Sequence, residues 1–407
     1  MAKETRKDNK GRNLRTGESQ SKSGPNKGRY SYKYVDPSGK PQFLYSWKLE
    51  PHDKMPKGKR QDRSLREKIR DLQRDQLNGI DHSGANMTVL ELYRKHIQLN
   101  AQVKPSTRGS RACRIKRLES DPLASMRICN VKLSDAKAWA LRQQEKGLAY
   151  HTIRTDKRAL IAAFYAAMAD DYIRKNPFDF QLTDVILDDT EVKTPLNAEQ
   201  EKSLLDFLRT DHVYRAYYDE FVILLGTGLR ISELCGLTKA DVDMEAGTIT
   251  IDHQLLRLNE IGRYVSDPKT ECGIRKISMR EDVQEAFRRV LDRPRKSSVK
   301  IDGYTDFLFL ARTGNPRTAI DYQMIFRRIR EKHAKKFGPV LPENMTPHTM
   351  RHTFCTKMAL AGMNPKSLQY IMGHKNIEIT MNYYAHGDPA VAMDDLRRVR
   401  TGPASAA

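Results

Sequence analysis

Three short segments of the C-terminal half place arginine, histidine and tyrosine where they could act together on a phosphodiester. The first is Gly226-Thr227-Gly228-Leu229-Arg230-Ile231-Ser232-Glu233-Leu234, and the second Pro347-His348-Thr349-Met350-Arg351-His352-Thr353-Phe354. The third joins Gly373-His374 to Thr380-Met381-Asn382-Tyr383-Tyr384-Ala385-His386. Attack on phosphorus builds negative charge on the non-bridging oxygens, and a planar guanidinium can hold two such oxygens at once where an ammonium cannot. Arg230 and Arg351 suit that task. Arg230 follows a Gly-Thr-Gly turn, and Glu233 at i+3 reads as its orienting partner rather than as half of a surface ion pair. Arg351 lies one helical turn from His348, so the two share a face. A metal reading of His348, His352, His374 and His386 lacks a carboxylate or cysteine at ligand spacing, so no metal is expected, and His352 is expected to pack within its helix. A phenol of pKa near ~10 needs neighbouring cations and a base before it is a good nucleophile, and this cluster supplies them.

In order and spacing the three segments together resemble the tyrosine recombinases, also called phage integrases. The likeness covers the C-terminal domain fully and the helical domain before it more loosely. It implies that His348 and His374 hydrogen-bond the phosphate and handle protons, as a ring with an unperturbed pKa near ~6.5 can do at neutral pH. The family's general-acid lysine on a β-hairpin falls on Lys269, in Asp267-Pro268-Lys269-Thr270, with Lys276 and Lys300 as bland alternatives. Some members place the nucleophile nine residues after the Gly-His histidine, which selects Tyr383. Others place it ten after, in a Thr-Leu/Met-Asp/Asn-x-Tyr-small-His ending that residues 380–386 match throughout. Tyr384 is therefore expected, with Tyr383 packing against the preceding helix. The resemblance implies a site-specific DNA recombinase, an integrase that works through a covalent 3′-phosphotyrosyl link, integrating and excising a mobile element as a homotetramer on DNA. Two rival readings are a type IB-like topoisomerase, which would lack the basic front domain, and a non-catalytic architectural DNA-binding protein, which would not need the tyrosine with both arginines. No Gly-x-x-x-x-Gly-Lys-Ser/Thr loop and no acidic metal cluster is found, so no cofactor is expected.

The elements that must carry these segments follow from periodicity, and the expected fold is mainly α and multidomain. Residues 197–387 should form a mainly α catalytic domain with a small antiparallel sheet. Its first helix is capped by Asn197 and runs through Asp211, a second ends at Gly226, and a short one starts at Ile231. Strands are expected near Thr248–Asp252, Leu255–Val265 and Arg275–Met279, with helices continuing to Ala385. Residues 177–196, rich in proline and acids, suit a linker. Residues 81–176 show four helical patterns and read as an α-helical core-binding domain. Its polar faces carry Arg108, Arg111, Arg114, Arg117, Arg154, Lys157 and Arg158, expected to track phosphates on DNA with Ser106, Thr107 and Thr152.

Residues 1–80 read as a small β-sheet plus one helix. A hairpin joins Tyr30–Val35 to Gln42–Leu49 around Asp36-Pro37-Ser38-Gly39, a short strand is expected near Asn13–Thr16, and Ser64 with Glu67 caps a helix whose Leu65, Ile69 and Leu72 share a face. This unit is similar to the arm-site-binding domain of conjugative-transposon integrases. Its first 27 residues are polar and basic enough to stay disordered. Residues 388–407 read as a docking tail, with Val391, Met393 and Leu396 on one face of a short helix.

Composition supports a nucleic-acid partner. The 407 residues carry a formal net charge of +21 and a pI near 9.7, which calls for a polyanion. Residues 1–80 hold 21 Lys and Arg against 10 Asp and Glu, about half of the excess in a fifth of the length. No apolar run reaches the roughly 18 residues of a membrane span, and the N-terminus lacks a secretory signal, so a bacterial cytoplasmic location without membrane contact is expected. Five cysteines without a CxxC pair argue against a disulfide scaffold or a zinc site. The expected partners are double-stranded DNA at core and arm sites, an excisionase and a host DNA-bending protein.

Overall fold

The computed structural model describes residues 6–35, 41–77, 86–191, 194–268, 271–294, 297 and 299–384. Near its N-terminus, β1 (Glu18–Gln20), β2 (Tyr30–Val35) and β3 (Pro41–Ser46) form an antiparallel sheet in that order, with Tyr30 opposite Ser46 and Lys33 opposite Phe43. Helix α1 (Leu65–Leu77) starts where Ser64 Oγ donates to Glu67 Oε2 at 2.6 Å, and its Leu65 and Ile69 join Tyr30 and Leu49 in a small core. The disorder expected of residues 1–27 is not found over the described residues 6–27. Arg12 reaches Asp8, Asp53 and Tyr30, while Arg66 holds the buried Glu18, so charge pairing rather than apolar burial orders this segment. For the same reason the first strand lies at Glu18–Gln20 rather than at 13–16.

Four helices follow: α2 (Val89–Leu99), α3 (Pro105–Glu119), α4 (Leu133–Glu145) and α5 (Tyr150–Ala169). Thr88 and Glu91 form the capping box of α2. Tyr93, Trp139, Ile153 and Phe164 are buried at their centre. The linker expected from residue 177 begins later. Phe178 meets Trp139 edge-on at 5.7 Å and Phe164 at 5.2 Å, and Leu182 and Ile186 are buried beside them, so apolar residues hidden among prolines and acids complete this core.

The chain divides into two compact units, Met1–Glu191 and Val192–Ala407. In the second, Asn197 caps α6 (Ala198–Thr210), followed by α7 (Tyr218–Thr227) and α8 (Ile231–Gly236). Strands β4 (Val242–Asp243), β5 (Thr248–Ile251) and β8 (Arg275–Ser278) pair in the order β4-β5-β8. The strand expected over 255–265 is instead a hairpin of β6 (Gln254–Leu258) and β7 (Gly262–Ser266), turning where Asn259 and Gly262 flank two residues. Helices α9 (Glu281–Leu291), α10 (Ala319–Phe337), α11 (Pro347–Leu360), α12 (Pro365–Met372) and α13 (Ile377–Met381) complete the unit. Phe221 stacks on Phe326 at 4.4 Å, and the buried Glu220 accepts bonds from Arg317 and from Tyr322 Oη, each at 2.8 Å. The docking tail expected at 388–407 lies outside the described residues. Among the described residues no helix is long and apolar enough to cross a membrane.

Candidate active site

Helix α7 ends at Thr227 because Gly228 takes the left-handed conformation, φ +64°, and a Cβ there would meet Phe354 Cδ1 at 2.5 Å and Met372 Sδ at 3.0 Å. The glycine lets this turn press against α11 and α12. Two residues on, Arg230 is the N-cap of α8; its backbone N–H donates to Glu233 Oε2 at 2.9 Å and its Nη1 to Glu233 Oε1 at 2.7 Å. Arg351, buried on α11, donates from Nη1 to Gly228 O at 2.7 Å and from Nη2 to Met372 O.

The end of α12 is where these side chains meet. A helix leaves its last carbonyls without partners. Here Gly373, left-handed at φ +61°, and His374 return backbone N–H groups to Gln369 and Tyr370. The next three carbonyls each take an arginine: Ile371 O accepts from Arg275 Nε at 2.6 Å, Met372 O from Arg351, and Gly373 O from Arg230 Nη2 at 2.9 Å. Three cations thus converge on the negative end of one helix dipole. Arg275 was not singled out in the sequence, although the alternation of β8 places it with Ile277 and Met279 on the core side, an unusual position for an arginine.

Burial first, then the neighbouring Arg230, pushes the Arg351 guanidinium below the usual arginine range. Burial would raise the Glu233 carboxyl, but Arg275, ahead of Arg230 and Arg351, holds it below the usual carboxylate range. His374 is buried, with Nδ1 3.0 Å from Thr380 Oγ1. Burial and the cations of Arg351, Arg230 and Arg275 pull its ring down to about 4, so it is neutral at pH 7 and does not titrate there as an unperturbed histidine would. His348 is exposed and meets His352 edge-on at 4.7 Å, and it stands near enough to His374 to help lower that ring's pKa beside Arg351.

Both tyrosines follow α13 and join the apolar cluster of Phe354 and Cys355. Tyr383 Oη lies 2.9 Å from His352 Nδ1, and burial pushes its phenol up to about 12. Tyr384 Oη donates to Met363 O at 2.5 Å. The structure therefore brings together Arg230, Glu233, Arg351 and His374, while the Tyr384 hydroxyl is held by a backbone carbonyl outside that cluster. Lys269 lies outside the described residues. Asp241, Asp252 and His253 lie close enough together to share a cation, but Asp241 already accepts from Thr238 and His253 bridges Asp252 and Gly236 O.

Of the basic residues on the helical domain, Arg108, Arg154 and Arg158 are exposed. Arg114 and Arg117 instead grip the buried Asp156 at 2.8 and 2.7 Å, and Arg111 donates to Asn100 O. Lys157 is buried, donating to Phe180 O at 2.7 Å. Asp156 on α5, the Asn100 carbonyl just after α2 and the Phe180 carbonyl beyond α5 supply the partners of these four.

Residues 195–390 match the model of the phage integrase family, and residues 2–76 that of the DNA-binding domain of Tn916 integrase. The chain is 51% identical to the transposase from transposon Tn916 of Enterococcus faecalis over 97% of both chains. The solved Tn1549 transposon integrase, bound to circular-intermediate DNA, is 54% identical with a TM-score of 0.74, covering 77% of this chain and 99% of that one. That relative was solved with one arginine changed to lysine and, on transposon right-end DNA, with one tyrosine changed to phenylalanine. A lambda integrase dimer on a core site, 16% identical with a TM-score of 0.53 over 92% of this chain and 95% of that one, shares the fold.

Proposed function

The chain belongs to the phage integrase family, the tyrosine recombinases, and on that premise we propose how its residues divide the cutting and rejoining of DNA. It is a site-specific recombinase acting on double-stranded DNA. Arg230 and Arg351 clamp two non-bridging oxygens of the scissile phosphate, and Glu233 holds Arg230 for that task. His348 and the neutral His374 hydrogen-bond the same phosphate. Tyr384 attacks phosphorus: its phenolic proton passes to His348, the bond from its oxygen to phosphorus forms, the bond to the 5′ oxygen breaks, and Lys269 protonates the departing oxygen. The 3′-phosphotyrosyl link is then attacked by the 5′-hydroxyl of a second strand, which restores the phenol. One phosphate ester is exchanged for another, so the bonds balance without ATP.

The convergence of Arg230 and Arg351 on adjacent carbonyls of the α12 end carries this reading. The choice of Tyr384 is supported by the Tn1549 integrase: the arginine and tyrosine changed in its complexes are as far apart in sequence as Arg230 and Tyr384, one position more than Arg230 and Tyr383. Cleavage then requires Tyr384 to leave Met363 O. A nicked suicide duplex tests the assignment. Tyr384→Phe should bind DNA and form no covalent adduct, whereas Tyr383→Phe should still form one, and mass spectrometry of the DNA-linked peptide should find the phosphate on Tyr384; a phosphate on Tyr383 refutes it.

The remaining roles follow the domains, taken as 1–80, 81–186, a linker at 187–195, and a catalytic domain from 196 on. The outward face of the N-terminal sheet carries Lys33, Phe43 and Tyr45, with the Arg29 guanidinium 4.4 Å from the Tyr45 ring, and suits an arm site. Arg108, Arg154 and Arg158 track core-site phosphates. Two duplexes each cut twice require a homotetramer, with an excisionase and a host DNA-bending protein setting direction in the bacterial cytoplasm.

A further inference from the structure

Arg275 is fully buried, and each of its nitrogens is spoken for. Nε donates to Ile371 O at 2.6 Å, Nη1 to Gly273 O at 2.9 Å and Glu233 Oε1 at 3.2 Å, and Nη2 to Glu233 Oε2 at 2.9 Å. It has no surface to offer a phosphate. It does hold both oxygens of the carboxylate that in turn holds Arg230, and the carbonyl next to the one that holds Arg351. The segment just before it also packs on the helix end, where a Cβ on Gly373 would lie 3.0 Å from Cys272 O.

The charges point the same way. Three arginines and one glutamate leave a net +2, with Glu233, Arg275 and Arg351 buried. A pentacoordinate phosphorus formed from a diester carries two negative charges on its non-bridging oxygens. Glu233 answers one arginine, and if that one is Arg275, both Arg230 and Arg351 keep their full charge for the phosphate. Without Arg275, Glu233 would neutralise Arg230 itself.

We infer that Arg275 is a positioning residue for strand cleavage, acting through Glu233 to fix the orientation and preserve the charge of Arg230. This rests on the reading of Arg230 and Arg351 as the phosphate clamp. The groups facing Glu233 are Arg230 on its own helix, Arg275 from β8 and Arg351 from α11, with His374 just past the end of α12. Arg275 contributes most to keeping the buried carboxylate ionised, so its loss should also move the acid limb of the cleavage rate to higher pH.

The test is a double-mutant cycle in the full-length chain, read as single-turnover cleavage of a nicked core-site duplex across pH, with core-site affinity measured alongside. Arg275→Met should slow cleavage on the order of a hundredfold, as a misplaced clamp does, and should raise the acid limb while core-site affinity stays near wild type. In a Glu233→Gln background the same change should cost only about threefold or less, because the charge it answers is gone. Costs that multiply, together with an unmoved acid limb, would mean a purely structural role and overturn the inference. Should Arg275→Met not fold, Arg275→Lys carries the test: with the charge kept and the fork lost it should cleave more slowly at the wild-type acid limb, and a raised limb counts against the assignment. Arg230→Lys run in parallel separates the two layers. If it cleaves like wild type, the clamp reading fails; if it is inactive while Arg275→Met cleaves at the wild-type rate, the Arg275 assignment alone fails.

Discussion

Gly373→Ala asks whether the end of α12 is the scaffold on which the arginines are set. Gly373 lies at φ +61°, a left-handed conformation that costs an L side chain about 1–2 kcal/mol. A Cβ would also sit 3.0 Å from Cys272 O and 3.1 Å from Arg275 Nη1. Crowding of that kind typically adds about 1–3 kcal/mol, so the total is roughly 2–5 kcal/mol. At roughly 2–4 °C per kcal/mol for a unit of this size, the melting of the C-terminal unit should fall by roughly 4–20 °C. Gly147→Ala is the control, since Gly147 at φ +77° has open space where its Cβ would go and lies in the other unit; it should show the backbone cost alone and cleave normally. Relieving the crowding at Gly373 must shift the carbonyl that Arg230 donates to by a few tenths of an ångström, and cleavage of a nicked duplex should fall about ten- to a hundredfold. Calorimetry and single-turnover cleavage read both effects. If Gly373→Ala destabilises its unit no more than Gly147→Ala does the other, and cleaves at the wild-type rate, the reasoning is wrong.

His374 gives a pH signature. The unfolded chain takes up a proton there near ~6.5, whereas the folded ring, buried beside Arg351, Arg230, Arg275 and His348, stays neutral down to about 4. The folded state therefore binds fewer protons in that window, and the contribution of His374 to stability is intact above pH ~6.5 and lost as pH falls toward 4. His374→Gln should flatten this part of the stability curve, measured by denaturant melts across pH; an unchanged slope contradicts it. In the helical domain, Asp156→Ala leaves Arg114 and Arg117 without their buried counterion and should cost about 3–5 kcal/mol by urea unfolding. A loss under about 1 kcal/mol would show that the two arginines find other partners.

Local chemistry was the most legible part of the chain. The Ser64–Glu67 pair and Asn197 announced helix starts through capping geometry that needs only a few neighbouring residues. Arg230 with Glu233 could be paired because i and i+3 are neighbours on any helix. What needed distant partners stayed hidden. Arg275 contacts Glu233 across 42 positions and Ile371 across 96, so only its place in the strand alternation hinted at burial. Asp156 draws Arg114 and Arg117 inward from about 40 residues away, and nothing in the basic pattern of α3 distinguishes them from the exposed Arg108. Phe178 looked like part of a linker because two aromatic partners had to be known before its burial could be.

On the assignment proposed above, the short stretch from residue 187 to 195 joins two units that each grip DNA. Nine residues reach at most about 30 Å when fully extended. Once one unit has landed, the other is held near the same duplex at an effective concentration in the millimolar range. Neither grip then needs to be strong, since overall avidity can far exceed the affinity of either part. A tether of this length also lets the protein release one unit while the other keeps its place, so partial detachment is reversible and departure from the DNA requires both grips to fail together.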